Sequence, residues 1–392
     1  MKILHLIRSV NPAGGGPIEG VKQLGLVNGH AGHQVEVASL DAPDAPFLKT
    51  FPLPTHPLGP SWLKYGYSSR MTPWLREHAR DYDIVIVNGL WQYHSFGLWR
   101  VLHGSDTPYV VYCHGMLDPW FNEAYPLKRL KKALYWPWGE YRVLRDASAV
   151  LFTCEEERVL ARQSFRPYHC NEIVVRYGTA GPTGDPQTEL TAFYERFPEL
   201  RGKRLAIFLG RLHEKKGCDL LIQAFAKVLA PDKDWHLIIC GPDQGGWEAK
   251  LHEVAKRFKV PDRICWTGML TGDLKWGALR ASEIFVLPSH QENFGIVVAE
   301  SLACGVPVLV SDKVNIWREV VSDGAGLVGP DNLQGACDVL KAWTLMTSEE
   351  KREMRARARE CFLHNFEIHE AASSLIRTLS SFTGGGAVRS NL

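Results

Sequence analysis

Glu283-Ile284-Phe285-Val286-Leu287-Pro288-Ser289-His290-Gln291-Glu292-Asn293-Phe294-Gly295-Ile296-Val297-Val298-Ala299-Glu300 passes from one kind of local structure to another. The apolar run ends at Pro288, as a buried strand closing into a loop does. From about Gly295 the pattern is helical, with Ile296, Val297, Ala299, Leu302 and Ala303 on one core face. Glu292 then lies in the strand-to-helix loop and Glu300 roughly two turns into the helix. Backbone N–H groups of Asn293, Phe294 and Gly295 at the helix start form an anion site. Two carboxylates beside an anion site suit a ligand with both hydroxyls and phosphates. The plainer alternative is a solvated loop Glu and a surface Glu. Glu300 weighs against it, because an unpaired carboxylate in so apolar a helix is costly.

Upstream, the same half of the chain repeats this rhythm. Residues 205–209, 236–240, 264–266, 284–287, 306–310 and 326–328 are short apolar runs with helical stretches between them. That alternation implies βαβ units on a parallel sheet, where ligands collect at the carboxyl ends of strands. The first run exits into Gly210-Arg211-Leu212-His213-Glu214-Lys215-Lys216-Gly217, and a helix is expected with Asp219 as its N-cap. Arg211 and Lys216 are thereby held near a helix start. Arg can grip a phosphate bidentately and Lys adds a point charge. Two solvated surface cations are the alternative. In a standard topology the Glu292 loop leaves the same sheet edge.

The first half reads the same way, with strands expected at 2–7, 35–38, 84–87, 109–113, 149–152 and 173–175, and a long Pro-rich loop over 41–60. After the first strand comes Ser9-Val10-Asn11-Pro12-Ala13-Gly14-Gly15-Gly16-Pro17, then a helical pattern from Ile18. Gly15 and Gly16 either bring backbone close to an anion at the helix start or make a plain tight turn. The loop is neither G-x-G-x-x-G nor a Walker motif. Asp81-Tyr82-Asp83 precedes its strand and reads as a solvated turn, not a metal–nucleotide holder. His114, followed by Gly115, sits at a strand exit, as a ligand contact or a structural histidine. Residues 127–145 hold Lys128, Arg129, Lys131, Lys132, Arg142 and Arg145 against the single acid Glu140, interleaved with Leu130, Leu134, Tyr135, Trp136 and Trp138. A basic helix with interfacial aromatics, broken near Pro137, suits an anionic membrane surface. A core-covering helix with a solvated basic face would look similar.

The chain has 392 residues, 45% hydrophobic and 22% charged, which fits two globular domains with sizeable cores. A net charge of +2 gives no case for nucleic-acid binding. The nine cysteines include no C-x-x-C pair and read as reduced core residues of a cytosolic protein. No signal peptide precedes the first strand, and no run of 18 apolar residues occurs. Residues 347–382 form a long charged helical tract suited to bridging two domains.

With Gly210-Arg211-Leu212, Lys215-Lys216-Gly217 and the E-x7-E pair Glu292/Glu300 inside Pro-Ser-x-x-Glu-x-Phe-Gly, the chain resembles glycosyltransferase family four. These are retaining nucleotide-sugar transferases with the GT-B fold, and the resemblance runs from the glycine loop to about Phe366. His114-Gly115-Met116-Leu117-Asp118-Pro119-Trp120 is similar to a subgroup acting in bacterial surface-polysaccharide assembly. The resemblance implies an α/β fold of two doubly wound Rossmann-like domains facing a central cleft. Residues 1–180 would bind the acceptor and 181–365 the nucleotide sugar. A helix over 366–382 would cross back to the first domain, followed by a disordered tail over 383–392. Arg211 and Lys216 would grip the donor diphosphate, approached by Gly15 and Gly16. Glu300 would take the ribose hydroxyls, and Glu292 the sugar hydroxyls, with Asn293, Phe294 and Gly295 nearby. His114 would face the sugar, and backbone near Met269 and Leu270 would meet the base. Where the family often has Asn-Gly, this chain has Arg176-Tyr177-Gly178.

The expected partners are a nucleoside-diphosphate sugar and a glycan or polyprenyl-diphosphate-linked acceptor. No metal or other cofactor is expected, since cations and helix dipoles can stabilise the leaving diphosphate. Lys128, Arg129, Lys131, Lys132, Trp136 and Trp138 would bring the protein to the cytoplasmic face of a membrane, peripherally and near the acceptor. Two other functions fit parts of the pattern: a sugar-nucleotide epimerase of the same architecture, and a non-catalytic sugar-binding protein.

Overall fold

The computed structural model describes residues 1–383. The chain divides into two compact units at Gly178/Thr179 and again at Glu367/Ile368. Unit 1 is Met1–Gly178 together with the helix Ile368–Thr383, and unit 2 is Thr179–Glu367.

Unit 1 is built on seven parallel strands: β1 (Lys2–Ile7), β2 (Gln34–Ser39), β3 (Thr55–Pro57), β4 (Ile84–Asn88), β5 (Tyr109–Tyr112), β6 (Ala149–Phe152) and β7 (Glu172–Val174). Their order is β3-β2-β1-β4-β5-β6-β7. β4, β5 and β6 are buried throughout, as β-branched and aromatic runs covered on both faces should be. β3 lies in the Pro-rich stretch expected as a loop. Thr55-His56-Pro57 has no apolar run to announce a strand, and as the edge partner of β2 it tolerates proline. The order reverses direction between β1 and β4, so the ligand crevice of this sheet opens at their carboxyl ends.

Unit 2 has six parallel strands: β8 (Arg204–Leu209), β9 (Trp235–Cys240), β10 (Ile264–Gly268), β11 (Ile284–Leu287), β12 (Val308–Ser311) and β13 (Gly326–Gly329), in the order β10-β9-β8-β11-β12-β13. Here the switch falls between β8 and β11. Both units are therefore doubly wound α/β sheets, as expected from the alternation of apolar runs.

The charged tract over 347–382 is two helices, not one. Ser348–Cys361 opens with a capping box in which Thr347 and Glu350 satisfy each other's backbone N–H. A π-helical turn, Phe362–Phe366, then ends it. The following helix, Ile368–Thr383, belongs to unit 1 and packs against Gly16–His30, burying Ala371, Ala372, Leu375 and Leu379. Thr383 is helical, although the tail was expected to begin there; 384–392 lie outside the described residues.

The basic segment is broken at Trp136–Gly139 into the helices Pro126–Tyr135 and Glu140–Asp146. Two of its expected membrane contacts are wrong. Trp136 is fully buried in the unit 1 core, stacked on Phe165 at 5.1 Å, with its indole N–H donated to the Pro167 carbonyl at 2.7 Å. Lys132 turns inward, its ammonium 4.4 Å from the centre of the Trp91 ring, and burial lowers its pKa to about 8. Lys128, Arg129, Lys131 and Trp138 are exposed.

Beneath this helix Glu140 is fully buried, accepting the Trp91 N–H at 2.8 Å and the Ser95 hydroxyl at 2.9 Å through Oε1. Burial pushes its pKa up from 4.5 to about 7. Well below pH 4.5 the acid is neutral in both folded and unfolded chains. As pH rises toward 7 the unfolded chain ionises first, so the native state loses stability, and above 7 the loss is constant. Glu140→Gln should therefore raise the unfolding free energy at about pH 8 by up to about 3 kcal/mol, and far less near pH 4. Urea unfolding at the two pH values measures this; equal effects at both would show that the carboxyl is not held neutral.

Candidate functional site

The loop after β8 and the loop after β11 are fastened together. The His290 N–H donates to the Lys215 carbonyl at 2.7 Å, and the Ser289 hydroxyl donates to the same oxygen at 2.9 Å. Lys215 Nζ reaches the Gln291 side-chain carbonyl at 3.1 Å. Gly217, at φ +65, lies so close to the Pro288 carbonyl oxygen that a Cβ would stand 2.1 Å from it. Only glycine fits both the left-handed backbone and that approach. The adjacent Lys216 is 8% exposed, and its ammonium is in direct contact with the Glu292 carboxylate. Burial, with like charge from Lys215 and Arg211, lowers the Lys216 pKa to about 7. The carboxylate in contact opposes this, and we take the ion pair as the resident state. Arg211 is not part of that pair; it is exposed and bonds the Gln244 side-chain carbonyl at 3.2 Å.

Two helix starts differ from expectation. The helix after β8 is Cys218–Val228 with Gly217 as its cap, so Asp219 sits in the first turn, where its charge complements the helix dipole. The helix after β11 is Ile296–Ala303, capped by Gly295, which puts Glu300 at its fifth residue, nearer one turn in than two. Asn293 and Phe294 precede that cap. Phe294 is buried edge-on to Phe366 at 5.6 Å and anchors the loop, while the Asn293 side-chain carbonyl accepts from the Asn315 amide at 3.4 Å. Glu292 is held by its backbone, donating to the Lys313 carbonyl at 2.9 Å and accepting from the Asn315 N–H at 3.0 Å.

Glu300 is buried and paired, as so apolar a helix requires. Lys275 Nζ lies 2.9 Å from its Oε1 and 3.9 Å from the centre of the Trp276 ring. Met269 and Leu270 leave the carboxyl end of β10, and Met269 is exposed.

In unit 1 a short 3-10 turn, Pro12–Gly14, leads into the helix Gly16–His30. Asp41 pins the approach, accepting the Ser9 hydroxyl at 2.6 Å and the Val10 N–H at 2.8 Å. Gly15 takes φ +80, with no atom within 4 Å of where a Cβ would be, so the backbone is open to a ligand there.

His114 follows β5 in a left-handed conformation, φ +49. The buried Glu157 holds the turn by accepting the Gly115 N–H at 2.6 Å and the Thr153 N–H at 2.7 Å. The His114 ring stacks on Tyr112 and lies 6.1 Å from the ring of Tyr177, which occupies the place where the family often has Asn. Its Nε2 donates to Asn88 Oδ1 at 3.2 Å, and Asn88 Nδ2 donates to His5 Nδ1 at 3.2 Å. Burial lowers the pKa of His114 to about 3 and of His5 to about 4, so both rings are neutral at pH 7. His114 is thereby an Nε2–H tautomer with Nδ1 as an acceptor. Asn88, His5 and Lys275 escaped the reading of the sequence. Asn88 had a signal, as the one polar residue closing the run Ile84-Val85-Ile86-Val87 at its carboxyl end. Lys275 had none, 25 residues from its partner.

Asp83 caps the amino edge of the sheet, accepting the Lys2 N–H at 2.7 Å, and so has a structural role. Among the described residues no group of three or more His, Cys, Asp or Glu is placed to hold a metal ion.

Comparison with known proteins agrees with the two-unit division. Residues 15–178 match a family described as glycosyl transferase 4-like domain, and residues 193–360 match glycosyl transferases group 1. The chain is 25% identical over 364 residues to the GDP-mannose:cellobiosyl-diphosphopolyprenol alpha-mannosyltransferase of Xanthomonas campestris, covering 89% of each chain. It is 24% identical over 388 residues to the GDP-mannose-dependent alpha-(1-6)-phosphatidylinositol dimannoside mannosyltransferase of Mycobacterium tuberculosis, covering 97% of this chain and 96% of the other. Among solved structures, HepE of Anabaena, crystallised with UDP and glucose, superposes with a TM-score of 0.77 at 18% identity, covering 97% of this chain and 100% of HepE. The two family matches together span most of the chain, which belongs to glycosyltransferase family four and has the GT-B fold.

Proposed function

We propose that the chain transfers a sugar, with retention, from a nucleoside-diphosphate sugar to a lipid-linked glycan acceptor in polysaccharide or glycolipid assembly. The observation that carries this reading is the Lys216–Glu292 pair at the β8/β11 switch point, with Arg211 in the same loop. A diphosphate sugar brings phosphate oxygens for the cations and hydroxyls for the carboxylate. GDP-mannose is our first choice of donor, because relatives covering nearly the whole chain are named for it.

In this reading Glu292 is neutralised by Lys216 until the donor arrives, and the ammonium is then shared with the diphosphate. Arg211 adds a second, solvent-facing cation. Charge developing on the leaving diphosphate is met by groups already in place, so little reorganisation is needed at the moment of reaction. Glu300 accepts the ribose hydroxyls, with Lys275 holding its carboxylate in position. Neutral His114 offers Nδ1 as a hydrogen-bond acceptor to a sugar hydroxyl. These cations are enough for a metal-independent reaction, so activity should persist in excess chelator. Abolition by chelator and rescue by magnesium or manganese would overturn that part.

We further propose a peripheral attachment to the cytoplasmic face of a membrane through Lys128, Arg129, Lys131 and Trp138. No helix among the described residues is long and apolar enough to cross a membrane. Each cation near an anionic surface contributes about 1 kcal/mol.

Arg211→Ala should fold normally, being exposed, and lower kcat/KM by about 2–4 kcal/mol in transition-state stabilisation. Lys216→Ala should lose at least as much and also some stability, because it leaves Glu292 without its cation. Steady-state kinetics with GDP-mannose, beside thermal unfolding of each variant, separates the two; near-normal turnover in Arg211→Ala would sink the phosphate assignment. Glu300→Gln should raise the donor KM more than it lowers kcat, and an unchanged donor KM would return Glu300 to a purely structural pair with Lys275.

A further inference from the structure

The helix Pro126–Tyr135 is inside out. Leu127, Leu130 and Leu134, at spacings of three and four, share one face. That face points to solvent: Leu127 is 84% and Leu134 70% exposed, and Trp138 just beyond is 69% exposed. The half-buried residues are instead Lys132 and Tyr135. Folding alone does not explain an apolar stripe turned away from the core.

A second element in unit 1 shares this feature. Trp62 and Tyr67 close a turn by mutual backbone bonds, Trp62 N–H to Tyr67 O at 2.8 Å and Tyr67 N–H to Trp62 O at 3.1 Å. Its tip, Leu63, sits at φ +60, a conformation costly for a leucine, and is 86% exposed; Trp62 is 67% exposed. Tyr65 faces inward. Its carbonyl accepts the Tyr93 N–H at 2.8 Å, and its hydroxyl bonds the Tyr135 hydroxyl at 2.8 Å. The turn is thus fastened to the end of the inside-out helix. Among the described residues of unit 1, every large exposed apolar side chain except Val174 belongs to one of these two elements or, as Trp138 does, to the turn just beyond the helix.

The charges are of one sign. Lys64 and Arg70 flank the turn, and Lys128, Arg129 and Lys131 flank the helix stripe, while residues 60–70 and 125–139 contain no Asp, Glu, Asn or Gln. Pyranose hydroxyls are commonly met by such side chains, so the composition argues against a glycan subsite. It suits a bilayer with anionic headgroups, which takes aromatic and leucine side chains at the interface and lysines around them.

We propose that the Trp62–Tyr67 turn and the Pro126–Tyr135 helix form one membrane-docking surface, with Trp62 and Leu63 entering the headgroup layer as a second anchor joined to the first through Tyr65 and Tyr135. This rests on the membrane reading above. The test is co-sedimentation of the full chain with vesicles of phosphatidylcholine and phosphatidylglycerol, at low and high salt. It compares wild type, Trp62→Ser/Leu63→Ser, and Lys128→Gln/Arg129→Gln/Lys131→Gln. The turn variant should lower partitioning roughly tenfold at either salt concentration, since the lost contacts are apolar. The charge variant should lose binding chiefly at low salt. Hydrogen exchange of the wild type, which depends on no variant, should show vesicle-induced protection over both 60–68 and 126–138. If wild type does not bind vesicles, the membrane reading itself falls, and this proposal with it. If wild type binds while the turn variant matches it and protection is confined to 126–138, only the second anchor is overturned. Loss of binding to a water-soluble acceptor glycan, with vesicle partitioning unchanged, would make the turn a glycan contact and overturn it equally.

Discussion

A buried ammonium is tolerated only when paired, and the contact of Lys216 with Glu292 is where unit 2 meets that demand. The pair exists because two loops from neighbouring strands are held in register. Lys215 uses its carbonyl twice, for His290 and Ser289, and Gly217 lies against the Pro288 carbonyl. The register in turn follows from β8 and β11 being adjacent although two strands intervene in the chain. Sheet topology therefore sets the distance between a cation and a carboxylate that are 76 residues apart. Glu300, in the helix that follows the same loop, meets the same demand with a different partner, Lys275.

What could be read from the chain beforehand follows this division between local and non-local causes. Strands such as Ile84–Asn88 and Ile284–Leu287 announce themselves, because burial on both faces leaves an unbroken apolar run. Thr55–Pro57 does not, since an edge strand of three residues borrows its structure from β2. Arg211, Lys216, Glu292 and Glu300 were legible as functional types at strand ends. The pairing of Lys216 with Glu292, and of Lys275 with Glu300, was not, because charge in a sequence carries no partner label. The helix starts were misplaced by two residues or fewer for a related reason. Gly217 caps its helix in a left-handed conformation where the sequence offers Asp219 as a side-chain cap, and Gly295 caps the helix after β11 in the same left-handed way.

The basic segment shows a different kind of error. Its composition is aromatic and cationic, but composition does not say which side of a helix is wet. Trp136 belongs to the core and Lys132 rests half-buried over the Trp91 ring, while the leucines belong to the surface. The usual inference from residue type to exposure is reversed, and the reversal is stabilised from below by Glu140. That acid takes the backbone N–H of Trp91 while the Met116 carbonyl takes its indole N–H at 3.1 Å, and the two together hold the residue on whose ring Lys132 rests.

The His114–Asn88–His5 series has a further property, which is polarity. Every hydrogen bond has a donor end, and here Asn88 is the member that sets the sense, because its carbonyl and amide cannot exchange roles without reversing both neighbours. Neutral His114 gives its Nε2 proton inward, and His5 receives at Nδ1. The proton of His5 must then sit on Nε2, which is buried and has no partner among the described residues. An unmet donor of that kind costs about 1–3 kcal/mol. The sheet thus gives up stability at His5 while the tautomer of His114 is fixed, with Nδ1 left as its acceptor. Which nitrogen of His114 can accept is decided by an asparagine one strand away and, through it, a histidine two strands away, as a signal is set by the first in a row of relays.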